Sequence, residues 1–384
     1  MQYRPVGDTG LDVSALGIGT MRFHDRENAV EIMAKEIELG LTYVDIGAAY
    51  SYKEFDENAE SWVGSALEGR DVSKLVLSAK AQPRPGDGQV EKNLGISTRD
   101  QMRECIDNSL KRCKVDRFDF YQFWDLSAAE HFAVATEGPD SPLRAMREAK
   151  DEGLVGHLGF TSHGQPDDII EWLEKVPEFR FVTLYYNFND RYPERVIEYA
   201  KDHGVGICIM GPLRGGLLVG ESELFAERLP ELKGMPVQEI ALRFLLGSDA
   251  VSTVISGMND PAHVEQNAAV ASLEEPMSAE QRQRFIDAFR EFSQGEDLCT
   301  GCRYCMGKCP ENLPVFMMMG LLQLHEVFHI GSASERLAKA YGNERFDPNR
   351  CSACGQCVEA CPQDLPIPER MERMASVMKA LAEG

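Results

Sequence analysis

The chain has 384 residues, 43% hydrophobic and 27% charged, the balance of a folded globular protein rather than a disordered or fibrous one. A formal net charge of −22 excludes the basic surface that a nucleic-acid backbone requires, so no nucleic-acid partner is expected. The most apolar run, Pro314 to Phe328, is interrupted by Gln323, His325 and Glu326 and falls short of the ~18 residues of a spanning helix. With no apolar leader in the opening MQYRPVGDTG, the expectation is a cytoplasmic protein without a membrane partner.

Residues 1–13 read as a short hairpin turning at Asp8–Gly10. Short apolar runs then alternate with amphipathic helical patterns. Strands are expected at Leu16–Gly19, Tyr43–Ile46, Leu75–Lys80, Phe118–Trp124, His157–Phe160, Phe181–Tyr186, Val205–Met210 and Val251–Ile255. Helices are expected at Glu27–Leu39, Arg99–Val115, Pro142–Gly153, Asp167–Val176, Glu194–Gly204 and Val237–Leu246, with Gly40, Gly153, Gly204 and Gly247 closing helices. Strand–helix units of about 30 residues point to a parallel (β/α)8 barrel, with an open doubly wound sheet as the alternative. The barrel is assigned to 1–275 and a helical linker, with an amphipathic helix over Ser278–Phe292, to 276–296. A small, mainly helical domain follows at 297–384, its spacer Glu311 to Arg350 reading as two helices.

The chain has 11 cysteines. Cys105, Cys113 and Cys208 are scattered, which suits a reducing compartment. The rest form two blocks, Cys299-Thr-Gly-Cys302-Arg-Tyr-Cys305-Met-Gly-Lys-Cys309-Pro310 and Cys351-Ser-Ala-Cys354-Gly-Gln-Cys357-Val-Glu-Ala-Cys361-Pro362. Both have the spacing C-x2-C-x2-C-x3-C-P. Three thiolates two residues apart wrap a loop around three irons of a [4Fe–4S] cube, and the fourth cysteine turns away to serve the other cube. One cluster is therefore assigned to Cys299, Cys302, Cys305 and Cys361, the other to Cys351, Cys354, Cys357 and Cys309. Zinc is the alternative, but zinc sites ordinarily use two C-x2-C pairs and leave the third cysteine and the Cys-Pro unexplained. His325-Glu326-Val327-Phe328-His329 matches the zinc-protease pattern H-E-x-x-H, yet it lies in the spacer, where a plain helix is the simpler reading.

Chemistry in a parallel barrel gathers at the C-terminal strand ends. Asp45 ends the second strand and Tyr50 follows five residues later. Lys80 ends the third strand and Trp124 the fourth. Asp45 can hold Lys80 charged, and Lys80 is then expected to lower the Tyr50 hydroxyl from its usual pKa of about 10, making it a proton donor for hydride transfer to a carbonyl. His163, just after the fifth strand, is a further pocket-facing candidate.

The segments YRPVGDTGLDVSALGIGTMR, YVDIGAAY, LSAK, GPLRGG and SGMNDPAHVEQN resemble aldo-keto reductases, in the right order over about residues 1–290. With the cysteine blocks, the chain is similar to the ferredoxin-fused branch of that family. The resemblance implies NADPH-dependent carbonyl reduction by an Asp, Tyr, Lys and His tetrad, of which Asp45, Tyr50 and Lys80 match. The family pattern D-x-Y-x-x-H falls on Asp119 to Trp124, so Trp124 stands where the substrate-orienting histidine belongs. An indole N–H donates one hydrogen bond but exchanges no proton. The resemblance also implies cofactor contacts at Gly19 and Thr20, and nicotinamide contacts at Thr161, Ser162 and Thr183, with Met210 in place of the stacking aromatic. It implies pyrophosphate contacts at Gly211, Pro212, Leu213, Arg214 and Gly215, and adenosine contacts at Ser256, Gly257, Met258, Gln266 and Asn267. His263 takes the place of the 2′-phosphate arginine, which leaves NADP(H) and NAD(H) both open.

Two functions follow. One is an oxidoreductase acting on a small carbonyl compound with a nicotinamide cofactor, its clusters exchanging electrons with a redox partner protein. A nicotinamide moves a hydride and a cluster one electron; a flavin commonly mediates, and the chain has no flavin fingerprint. The other is an electron-transfer adaptor whose barrel is a cofactor-poor binding scaffold.

Overall fold

The computed structural model describes residues 1–86, 88–221, 229–291, 299, 303–361 and 364–383. The chain forms two compact units. The first comprises Met1–Tyr186, Pro193–Pro212 and Ser248–Pro276; the second comprises Asn187–Tyr192, Leu213–Gly247 and Met277–Gly384.

The first unit opens with the expected hairpin, strands β1 (Tyr3–Pro5) and β2 (Asp12–Ser14). Eight parallel strands follow: β3 (Leu16–Gly19), β4 (Tyr43–Asp45), β5 (Val76–Ala81), β6 (Phe118–Phe123), β7 (Val155–Ser162), β8 (Phe179–Tyr185), β9 (Gly206–Met210) and β10 (Thr253–Ser256). They close into a barrel, β10 pairing with β3 through Val254 opposite Leu16, which settles the choice against an open sheet. Inward side chains from alternate positions fill the interior. Tyr43, Val76, Phe120, Phe181, Cys208 and Ile255 pack against Val6 and Val13 of the hairpin region, which covers that part of the core. Gly159 admits Phe181: a β-carbon there would collide with the Phe181 carbonyl and ring.

The strands differ from expectation mainly at their ends. β7 begins at Val155 and runs on to Ser162, because Thr161 and Ser162 pair with Thr183 and Leu184 although their side chains are polar. A hydropathy pattern stops at such residues; a backbone ladder does not. The helix Ala59–Leu67 was not expected either. Eight of its nine residues are buried, so it lacks the polar face that gives a helix its period. Its start is nonetheless fixed by Asn58, whose side chain accepts from Glu60 and Ser61 N–H groups. Gly40, Gly153 and Gly204 follow helix ends at positive φ. Gly247 does not, with φ −74°; a side chain is excluded there by the Met277 carbonyl.

In the second unit the described helices are Val237–Leu246, Ala279–Glu291, Val315–Glu326, Gly331–Ala340, Gln356–Glu359 and Ile367–Glu383. The spacer between the cysteine blocks contains two helices, as its pattern indicates. Met371, Met374 and Met378 form the buried stripe of the last helix at three- and four-residue steps. The rings of Phe188, Phe244 and Phe285 meet at centroid distances of 5.4–6.5 Å. Among the described residues no helix is long and apolar enough to cross a membrane.

Candidate active site and cluster cysteines

Asp45 closes β4 and Lys80 lies near the end of β5, on adjacent strands pairing Asp45 with Ser78. Their side chains meet inside the barrel, Lys80 Nζ lying 2.5 Å from Asp45 Oδ2, and both are buried. Lys80 Nζ also lies 5.1 Å from the centre of the Tyr50 ring and 5.7 Å from that of Trp124. Trp124 meets Tyr50 edge-on, at 5.2 Å between centroids and 74° between planes. The structure thus brings all four sequence-assigned residues together.

The electrostatics differ from the sequence expectation in one respect. Burial alone would lower Lys80, but the charge and hydrogen bond of Asp45, with Tyr50, raise it from 10.5 to about 12. Tyr50 moves the opposite way from that expected. Burial pushes its hydroxyl above the usual 10; the Lys80 charge pulls it down but does not prevail, and Asp45 adds to the rise. Loss of water around the phenol outweighs the pull of the ammonium beside it.

A residue missed in the sequence holds this pair in place. Gln122, on β6, donates through Nε2 to Ser78 Oγ at 2.7 Å and to Asp45 Oδ1 at 3.4 Å, while its Oε1 accepts from Thr183 at 2.7 Å. The clue is a lone amide inside the aromatic strand FDFYQF.

Several residues assigned to the cofactor have protein partners for their side chains. The Thr183 hydroxyl serves Gln122, and Thr161 Oγ1 accepts from Asp125 N–H at 2.8 Å. Ser162 Oγ donates to the Leu126 carbonyl and accepts from Gly164 N–H. Thr20 Oγ1 donates to the Asp45 carbonyl at 3.0 Å. Gly19 lies against the Ser256–Gly257 backbone, where a β-carbon would come within 2.9 Å of Ser256. Asn267 reaches Ser256 Oγ at 3.3 Å; Met258 is buried, while Gly257, Gln266 and His263 are exposed. Met210 is half-buried and pairs with Tyr185; Gly211 and Pro212 follow it. Leu213, Arg214 and Gly215 belong to the second unit, where the Arg214 guanidinium covers Gly320. His163 stands with its ring 5.5 Å from that of Tyr185.

In the second unit Cys309, Cys351, Cys354 and Cys357 line one cavity with Leu313, Val315, Pro368 and Met371. This is the foursome assigned to one cube, drawn from both blocks across 41 residues of intervening sequence. Four soft thiols around a common space, backed by apolar side chains, fit an iron–sulfur cube. Cys299, Cys305 and Cys361 are half-buried; Cys302 lies outside the described residues. The H-E-x-x-H match does not form a helical pair. The helix ends at Glu326, His329 has φ +50°, His325 Nδ1 bonds to Ser334 Oγ at 2.8 Å, and Glu326 pairs with Arg373.

The aldo/keto reductase family matches residues 15–289, and a 4Fe-4S dicluster domain matches 292–362. The oxidoreductase YqkF of Bacillus subtilis is 27% identical over 295 residues, covering 71% of this chain and 92% of that protein. L-galactose dehydrogenase of Arabidopsis thaliana is also 27% identical, over 71% of this chain and 89% of its own. The holo form of aldo-keto reductase AKR11C1 from Bacillus halodurans superposes with a TM-score of 0.64 at 28% identity, covering 75% of this chain and 96% of that one. The chain belongs to the aldo/keto reductase family, as an oxidoreductase barrel followed by a 4Fe-4S dicluster domain.

Proposed function

We propose that the protein is a nicotinamide-linked oxidoreductase of a small carbonyl compound, with two [4Fe–4S] clusters that exchange electrons with a redox partner protein. The observation that carries this is the buried Lys80–Asp45 pair beneath Tyr50 and Trp124. A nicotinamide bound there supplies hydride, and the cubes supply one-electron transfer.

The chain's own residues supply the rest. Tyr50 holds the proton that a reduced carbonyl oxygen takes up. Its raised pKa keeps that proton in place at neutral pH. Lys80, charged at every physiological pH, stabilises the phenolate left behind. Asp45, braced by Gln122, keeps the ammonium from moving. Trp124 closes one side of Tyr50 and excludes water from it. The relatives support a small hydroxy or carbonyl substrate: one is an L-galactose dehydrogenase, another an NADH-specific methylglyoxal reductase of Escherichia coli.

The experiment is anaerobic purification, iron and acid-labile sulfide analysis, then titration with NADPH and with NADH while cluster absorbance is followed. Nucleotide binding, together with carbonyl reduction lost in Tyr50→Phe, supports the proposal; turnover unchanged in Tyr50→Phe removes it. One observation favours the adaptor reading: the Thr161, Ser162 and Thr183 hydroxyls are engaged inside the barrel. A holoprotein that binds neither nucleotide yet exchanges electrons through its clusters would establish it.

A further inference from the structure

Tyr50 and Lys80 are both anchored through their backbone carbonyls. That of Tyr50 accepts at 3.0 Å from the N–H of Ala59, the first residue of the helix Ala59–Leu67. That of Lys80 accepts from Asn93 Nδ2 at 3.2 Å. The two side chains converge over Gly47, where a β-carbon would lie 3.0 Å from the Tyr50 ring and 3.2 Å from Lys80 Cε. Packing this close passes a shift of either backbone on to the distance between phenol and amine.

A buried polar network joins the two anchors within the first unit. Asn93 ends the turn Val90–Lys92 in a left-handed conformation, φ +56°, which asparagine adopts more readily than most residues. Its carbonyl accepts from Gln82 N–H at 2.8 Å, so it clasps the exit of β5 at Lys80 and again just beyond. Asn93 Nδ2 also donates to Ser109 Oγ at 2.9 Å, and its Oδ1 accepts from Arg112 Nη2 at 3.2 Å. Ser109 Oγ and Arg112 Nε in turn donate to the two carboxylate oxygens of Glu60, at 2.9 and 2.6 Å. Glu60 is the second residue of the helix that holds Tyr50. Arg112 Nη1 reaches the Glu91 carbonyl at 3.2 Å, and the guanidinium stacks at 4.9 Å on Phe55, in the loop after Tyr50. Glu60, Asn93 and Ser109 are wholly buried and Arg112 nearly so. Gly64 allows the two helices this approach, since a β-carbon there would collide with the Arg112 carbonyl.

We propose that Asn93, backed by the buried Glu60–Arg112 pair, is a positioning residue that sets the spacing of Tyr50 and Lys80 for proton transfer. The inference rests on the reading of the barrel as a carbonyl-reducing site. A buried ion pair gains little stability over apolar groups of the same volume, so its use here is direction. Arg112 faces Glu60, Glu91 and Asn93 at once, which leaves the Asn93 amide one orientation and the Glu60 helix one position against it. Asp45 holds the ammonium of Lys80; Asn93 holds the strand end from which that side chain reaches. Lys80 Nζ is thereby kept 5.1 Å from the centre of the Tyr50 ring, where its charge stabilises the phenolate left after proton transfer.

The test is steady-state kinetics of the full-length holoprotein, with methylglyoxal and 4-nitrobenzaldehyde as carbonyl probes and with NADPH and NADH. Asn93→Gly keeps the left-handed turn and removes the amide. It is expected to lower kcat by about 10- to 100-fold while KM for nucleotide and probe holds. Its alkaline decline in kcat/KM is expected to move to still higher pH, because a displaced Lys80 pulls less on the Tyr50 hydroxyl. Ser109→Ala takes one hydroxyl from the network at a helical position that suits alanine. It is expected to act in the same direction by a smaller factor, and it decides the question if Asn93→Gly does not fold. Leu173→Ala, in the helix Pro166–Lys175, removes buried volume away from the network and is expected to keep the wild-type kcat and pH profile. A wild-type kcat and profile in folded Asn93→Gly, or equal losses in Leu173→Ala, would overturn the proposal. A wild type that binds neither nucleotide and reduces neither probe would instead overturn the functional reading beneath it.

Discussion

Lys80 Nζ sits 2.5 Å from Asp45 Oδ2, and both groups are almost wholly out of water. Each charge is tolerated there because of the other. Replacing Lys80 with Met strands the carboxylate. The expected cost is ~3–5 kcal/mol of unfolding free energy, read from urea unfolding of the purified chain. An unchanged midpoint would show that Asp45 finds another partner.

The same pair gives stability a defined pH dependence. Lys80 is raised in the folded chain from 10.5 to about 12. A raised amine contributes its full stability below pH 10.5 and loses it as pH climbs toward 12. The loss is ~2 kcal/mol, from ~1.4 kcal/mol per pKa unit. Comparing wild type with Lys80→Met across that window isolates it; equal slopes in the two proteins would refute the assignment.

Tyr50→Phe deletes the proton donor and little else. Carbonyl reduction is expected to drop by about 10²–10⁴ in kcat, with nucleotide binding kept. Because burial lifts the Tyr50 hydroxyl above 10, kcat/KM should stay level through neutral and mildly alkaline pH and decline only beyond that value. A decline centred near neutrality would identify a different proton donor.

Cys354 is exposed but lines the same cavity as Cys309, Cys351 and Cys357. Cys354→Ser is expected to lose about half the iron and sulfide, since one cube of two depends on it. Metal analysis against the wild type measures this, and full retention would detach Cys354 from the cluster.

The barrel and the cysteine spacing are local signals. Strand alternation repeats along the chain, and each metal loop is complete within a dozen residues. Asp45 and Lys80 were legible because strand ends in a parallel barrel converge regardless of loop detail. Gln122 was harder to find, because Phe120 to Phe123 are all buried and no polar alternation marks one face of β6. The direction of the Tyr50 shift was misread for a related reason: a sequence indicates which charges come near but not how much water leaves. Asp190 and Arg303 form a buried ion pair at 3.0 Å from 113 positions apart, and nothing around either residue announces the other.

That last separation bears on how such a chain can be taken apart. Asp190 comes from the stretch Asn187–Tyr192, coded far upstream of the first cysteine block, yet it belongs to the same compact unit as Arg303. A fragment cut at the apparent join would carry the arginine away without its counter-ion. The redox module is thus stitched through the gene rather than appended to it, and grafting it onto another host would require a few codons from the middle of the barrel as well.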